Sequence, residues 1–97
     1  MHTKTFQVGN TIRLMCRFKD FNEELIDPAL VKLKFYDYRY QMIHDVILGP
    51  ANKLEAGVYF YDYQIPDGPK ERLHYEWYAE DQGTIALKRD SFMISFL

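Results

Sequence analysis

Three histidines, one cysteine, a cluster of acidic residues and eight tyrosines are the groups in this 97-residue chain that could do chemistry. His2, His44 and His74 stand far apart, and none lies at ligand spacing from another histidine or from Cys16, so no metal centre is expected. Cys16 alternates with apolar neighbours and has no base beside it in sequence, which reads as a buried, inert thiol rather than a nucleophile. Asp20, Glu23, Glu24 and Asp27 crowd one segment and Asp81 sits in another. Loops at one end of a sandwich could gather such carboxylates around calcium, but their spacing matches no EF-hand, and a solvated acidic loop is expected. Glu76 and Glu80 could form an acid pair, yet no cleft is evident that would tune one of them as a general acid. The glycines are scattered and build no phosphate cradle. No catalytic, metal-binding or cofactor-binding residue is assigned, and no enzymatic activity is expected.

Recognition by aromatic rings is the remaining chemistry. Tyr36, Tyr38 and Tyr40, with Tyr61 and Tyr63, could present a platform for stacking against sugar rings. The opposing reading packs several of these rings in the core or over a sheet edge.

The elements that must position these groups read as strands. In residues 57–66, Tyr59, Tyr61, Tyr63 and Ile65 alternate with Phe60, Asp62 and Gln64, the two-residue period of a strand with one buried face. Leu73, Tyr75, Trp77 and Ala79 repeat it after a Pro-Asp-Gly-Pro turn at 66–69, leaving His74 on the solvent side. Upstream, Ile12, Leu14, Cys16 and Phe18 alternate with Arg13, Met15, Arg17 and Lys19, and Val31, Leu33 and Phe35 alternate with Lys32, Lys34 and Tyr36. Residues 5–8 form a short first strand closed by Gly9-Asn10. Residues 20–28 read as a loop or small hairpin, 37–40 as a turn, and 52–56 as a loop. In residues 41–48, Met42, Ile43, Val46 and Ile47 have helical spacing over too short a run, so an edge strand is expected. A turn at 81–83 leads to a final strand with Phe92, Ile94 and Phe96 on one face and Met93, Ser95 and Leu97 on the other.

Seven strands, turns every eight to twelve residues or so and no convincing helix point to one sandwich domain spanning residues 1–97. Its expected core is Ile12, Leu14, Cys16, Phe18, Val31, Leu33, Phe35, Tyr59, Tyr61, Leu73, Tyr75, Trp77, Phe92, Ile94 and Phe96. With one cysteine there is no internal disulfide, so packing alone must hold it. Twelve basic and 14 acidic residues give a net charge of −2, without the basic surplus of a phosphate-backbone binder. Charge-free stretches are too short to span a bilayer and the N-terminus lacks a signal-like apolar run. The expectation is a soluble, non-secreted protein without nucleic-acid or membrane partners.

Residues 8–37 (VGNTIRLMCRFKDFNEELIDPALVKLKFYD), 57–68 (GVYFYDYQIPDG), 74–83 (HYEWYAEDQG) and 91–96 (SFMISF) together resemble small immunoglobulin-like domains of tailed-phage and prophage structural proteins. The shared order is a Gly-led strand with an Arg, a Phe-Lys-Asp-Phe loop leading to Asp-Pro, a Gly-x-Tyr-x-Tyr-x-Tyr strand, an aromatic-Glu-Trp strand and a closing Phe-x-Ile. Residues 40–48 depart from it by lacking a glycine turn. The resemblance implies an all-β, immunoglobulin-like antiparallel β-sandwich of about seven strands. It also implies a virion or assembly role, with other virion proteins or further copies of the chain as partners, and a location in the virion or, before assembly, the host cytoplasm. Trp77 resembles the core tryptophan of such sandwiches. Met15, Tyr36, Tyr38, Tyr40 and Met42, apolar or aromatic at outward or loop positions, are the candidate contact surface. A carbohydrate- or cell-surface-binding module is the alternative.

Overall fold

The computed structural model describes residues 4–20, 22–67 and 71–95. His2, Phe96, Leu97 and the second half of the turn at 66–69 lie outside them. The described residues form eight strands: β1 (Thr5–Gln7), β2 (Thr11–Arg17), β3 (Leu30–Tyr36), β4 (Met42–Leu48), β5 (Lys53–Glu55), β6 (Val58–Gln64), β7 (Arg72–Asp81) and β8 (Thr84–Ser95). One 3-10 turn at Pro50–Asn52 links β4 to β5. The strand beyond the expected seven is β5, three residues of the segment read as a loop. The final strand also begins earlier than Phe92, at Thr84, because its residues 84–93 pair with the whole of β7.

Five strands form one sheet in the order β1-β8-β7-β3-β4, and three form the other in the order β2-β6-β5. The pairing is not wholly antiparallel. β1 runs parallel to β8, with Phe6 opposite Ile94, because the chain crosses between sheets at Gly9-Asn10 instead of folding β1 back on β2. The other ladders are antiparallel.

The two sheets pack face to face, since alternation gives each one apolar side. Leu14, Cys16 and Phe18 from β2 and its extension meet Val31, Leu33 and Phe35 of β3, Leu48 of β4, Tyr59 of β6, and Trp77 and Ala79 of β7 in one cluster. Ile65, Leu73, Phe92 and Ile94 form a second cluster, with Phe6 edge-on to Phe92. Tyr61, Tyr75 and Ile12, expected inside, are only partly buried against these clusters. Ile65 and Ala79, on the faces that alternation turns inward, are buried as well, and Leu48 and Val58 join the core beyond the expected residues.

The helical spacing in residues 42–47 has a simple cause. The β3–β4 register shifts between Phe35 and Tyr36, so His44 pairs with Phe35 while Met42 pairs with Tyr36 and Ile43 is the extra residue. A bulge of this kind breaks the two-residue period once. It puts Met42 on the outer face beside Tyr36 and leaves His44, Val46 and Leu48 on the inner side. No helix among the described residues is long and apolar enough to cross a membrane.

Candidate interaction surface

The outer face of the five-stranded sheet carries Tyr36, Tyr40, Met42, His74, Glu76 and Glu80 among the groups singled out by sequence. Register lines up its side chains in rows across β8, β7, β3 and β4: Leu87, Tyr78, Lys32 and Ile47; then Arg89, Glu76, Lys34 and Asp45; then Ser91, His74, Tyr36 and Met42.

The middle row is polar, and its Arg89 and Glu76 are paired. The Arg89 guanidinium Nε donates to Glu76 Oε2 at 2.6 Å, and Glu76 is 8% exposed although it lies on an outer face. Lys34 Nζ stands 5.1 Å from the centre of the Tyr78 ring, and the Tyr78 hydroxyl donates to Glu80 at 3.2 Å. Glu76 and Glu80 therefore have separate partners and do not form an acid pair. Four residues of strand hold them roughly 13 Å apart.

The turn between β3 and β4 aims one aromatic ring onto this face. Asp37 Oδ1 accepts from the backbone N–H groups of Arg39 and Gln41, and Tyr40 adopts φ +62°. The same geometry recurs at Asp20, which accepts from Asn22 and Glu24 while Glu23 sits at φ +64°. In each case an aspartate side chain replaces missing backbone pairing in a tight turn. At the first turn the result is Tyr40 stacked on His74, ring centres 4.3 Å apart and planes 24° from parallel. His74 lies outward as expected but is covered by Tyr40, not free in water. Burial, helped by the nearby Arg72 charge and opposed by Asp37, pushes the His74 imidazole below its ordinary pKa. Tyr36, Tyr40, His74, Glu76 and Arg89 line an open cleft of about 340 Å3.

Of the five candidate contact residues, Tyr36, Tyr40 and Met42 come together here. Tyr38 is half exposed at the turn, its ring 5.1 Å from the Arg39 guanidinium. Met15 is exposed on the far side of the molecule, opposite Phe60 on the outer face of the three-stranded sheet, so the five do not make one surface. Tyr61 and Tyr63 do not join the other tyrosines in a platform. They lie on the inner side of β6, where Tyr63 stacks on Phe35 at 4.0 Å and the Tyr61 hydroxyl contacts His44 Nε2 at 3.1 Å.

The acidic cluster is dispersed in the same way. Asp20 serves its own turn, and Asp27 accepts from Lys53 Nζ at 2.7 Å and from the Tyr59 hydroxyl at 3.2 Å. Lys53, with help from the Gly57 N–H and Tyr59, holds the Asp27 carboxyl below the usual carboxylate range. No group of three His, Cys, Asp or Glu side chains that could hold a metal occurs among the described residues. Cys16 is buried, and burial raises its thiol pKa.

Sequence reading missed Glu76, Arg89, Ile85 and Leu87 as members of this face. The signal was present in the alternation of Ile85, Leu87 and Arg89 with Ala86 and Lys88, which continues the period of Phe92 and Ile94 backwards. Comparison with family models, with curated proteins and with solved structures finds no match to this chain.

Proposed function

We propose that this chain is a non-catalytic docking module, an immunoglobulin-like sandwich that works through protein–protein contacts in a tailed-phage or prophage particle. The observation that carries the docking reading is the outer face of the five-stranded sheet. Tyr40, Met42, Ile47, Ile85 and Leu87 stand there between 50% and 70% exposed, around a polar row in which Arg89 pairs with Glu76. Large apolar side chains grouped on one face are a feature of contact surfaces.

The immunoglobulin-like reading is supported by strand order. If β2, β6 and β5 are strands B, E and D, then β8, β7, β3 and β4 fall in the order G, F, C and C′ of a variable-type sandwich. On that correspondence Cys16 occupies the strand B position of the antibody disulfide. Trp77 lies on strand F, where the second cysteine would lie, and not on strand C, where Leu33 is fully buried. The particle setting rests on the sequence resemblance. Mass spectrometry of purified particles tests it: peptides at stoichiometric abundance are expected, and their absence from intact particles overturns the virion role.

Carbohydrate binding is the second reading, favoured by the Tyr40–His74 stack beside Glu76 and Arg89. Glycan-array binding abolished by Tyr40→Ala would establish it in place of the first.

A further inference from the structure

The three-stranded sheet is too narrow to cover its partner, and the uncovered strip is a trough with an unpaired strand edge. β2 pairs with β6 along residues 11–17, and no strand among the described residues pairs with its other edge. Beyond that edge lies the inner face of β8, where Thr84, Ala86 and Lys88 are exposed. The trough between them measures about 550 Å3. Its floor and walls include Cys16, Phe18, Ile26, Pro28, Ala79 and Ala86, so it is apolar and floored by small side chains. One rim is cationic: Arg17, Lys19 and Lys88 also line a contiguous opening. Lys19 reaches Glu23 only at 3.7 Å, and no acidic side chain pairs with Arg17 or Lys88 among the described residues. Asp20 and Asp81 also line the trough but not the contiguous opening, whose charged residues are Arg17, Lys19 and Lys88.

We propose that the trough receives an extended segment of a partner protein, with apolar residues alternating with Asp or Glu, which adds to β2 as a fourth strand of the smaller sheet. Each feature specifies part of that occupant. A free strand edge offers N–H and C=O groups in a row, which only another extended backbone satisfies in full. Sheets pack about 10 Å apart, so inward side chains of an added strand would fill the trough over Ala79 and Ala86. Its outward side chains would lie beside Arg17 and Lys19, where opposite charges across strands are favourable. In the sandwich correspondence this is the place of strand A, which β1 leaves empty by pairing with β8 instead. This surface is separate from the outer face of the larger sheet, and the inference does not depend on that face.

The test uses the whole chain and a short fluorescein-labelled peptide alternating valine and glutamate. Saturable binding by fluorescence anisotropy is expected, weakening as salt rises. The same peptide with alternate amides N-methylated, or with lysine in place of glutamate, should not bind. Ala86→Trp, which fills the trough at an exposed position, should abolish binding. The Arg17→Glu, Lys19→Glu double variant should weaken it by roughly tenfold, from two exposed ion pairs lost and reversed. Ile47→Asp, on the other face, should leave it unchanged. Thermal melts check that each variant is folded. Hydrogen exchange read by NMR gives a second measure, since peptide should slow exchange of the outward amides of β2. No binding by either charged peptide overturns the proposal. So does equal binding by both, or protection confined to β4.

Discussion

Gly57→Ala should destabilise the domain by about 3–4 kcal/mol, while Gly83→Ala should cost only about 1–2 kcal/mol. Both glycines sit at positive φ, +81° and +80°, where an L side chain is strained by about 1–2 kcal/mol. That contribution is common to the two variants. A Cβ at Gly83 would meet nothing within 4 Å, whereas one at Gly57 would stand 2.5 Å from the Ile26 carbonyl oxygen and 3.1 Å from Leu25 Cβ. Because the nearest obstacle is backbone, the chain at 25–26 must separate from the start of β6. Separation strains the hydrogen bond donated by Phe18 N–H to the Gly57 carbonyl at 2.9 Å, worth about 1 kcal/mol net. It also disturbs the edge-on contact of Phe18 with Tyr59, ring centres 6.0 Å apart, worth about another 1 kcal/mol. Urea denaturation followed by Trp77 fluorescence reads the difference as a lower midpoint at constant m value. A domain of this size is stable by about 5–15 kcal/mol, so the variant should still fold in water. Equal midpoints for the two variants would refute the close approach of residues 25–26 to Gly57. They would also remove the support for one wall of the trough, because Phe18 and Ile26 are part of it.

Truncating Trp77, 2% exposed in the main core cluster, to alanine should cost about 3–5 kcal/mol by denaturation, and a loss near zero would mean the β7 register is wrong. Burial, with a smaller contribution from Asp90, pushes the Tyr75 phenol up to about 12. The unfolded chain then loses this proton first as pH rises past about 10, so stability should fall between about pH 10 and 12, by at most roughly 1–3 kcal/mol, and Tyr75→Phe should flatten that limb. The depressed Asp27 carboxyl gives the opposite dependence. Its contribution is present above the unfolded value of about 3.9 and is lost as pH falls through the lower folded value, so Asp27→Asn should flatten the acid limb of the stability curve. Tyr40→Ala should uncover His74 and raise its pKa towards about 6.5, read by NMR titration; an unchanged value would mean the stack does not contribute to the burial.

What could be read from the sequence was whatever alternation alone decides. Ile12 to Phe18, Val31 to Phe35 and Tyr59 to Trp77 supply two-residue periods whose inward members face each other across the sandwich, and their strands fall where expected. Alternation is silent about which strands pair. The parallel union of β1 with β8 and the division into five and three strands were therefore not legible. It also fails where the period slips: the bulge at Ile43 looks like a helical turn in sequence. Among the candidate contact residues, outwardness was readable for Met15 but membership of one surface was not, because that depends on which sheet a strand joins. Glu76 shows the limit most clearly. Its strand position predicts an exposed carboxylate, and only the register that sets Arg89 opposite it explains why it is covered.

The mismatch between the sheets links the fold to its proposed contacts. The twelve residues of β8 span roughly 40 Å, comparable to the 42 Å long axis of the molecule. The smaller sheet has no strand over the first part of β8, and residues 84–90 stay exposed on both faces. An uncovered strand with a free edge beside it invites uncontrolled pairing between copies, and charged residues at such an edge oppose it. Arg17, Lys19 and Lys88 stand where that protection is needed. Mutual repulsion of these cations disfavours a second copy docking edge to edge, while the same cations favour an acidic strand. Solubility and selectivity therefore have one physical origin here. Replacing all three by uncharged residues should raise self-association and lower preference for the glutamate peptide together; analytical ultracentrifugation and anisotropy on the same sample would show the two effects separating if the origins were different.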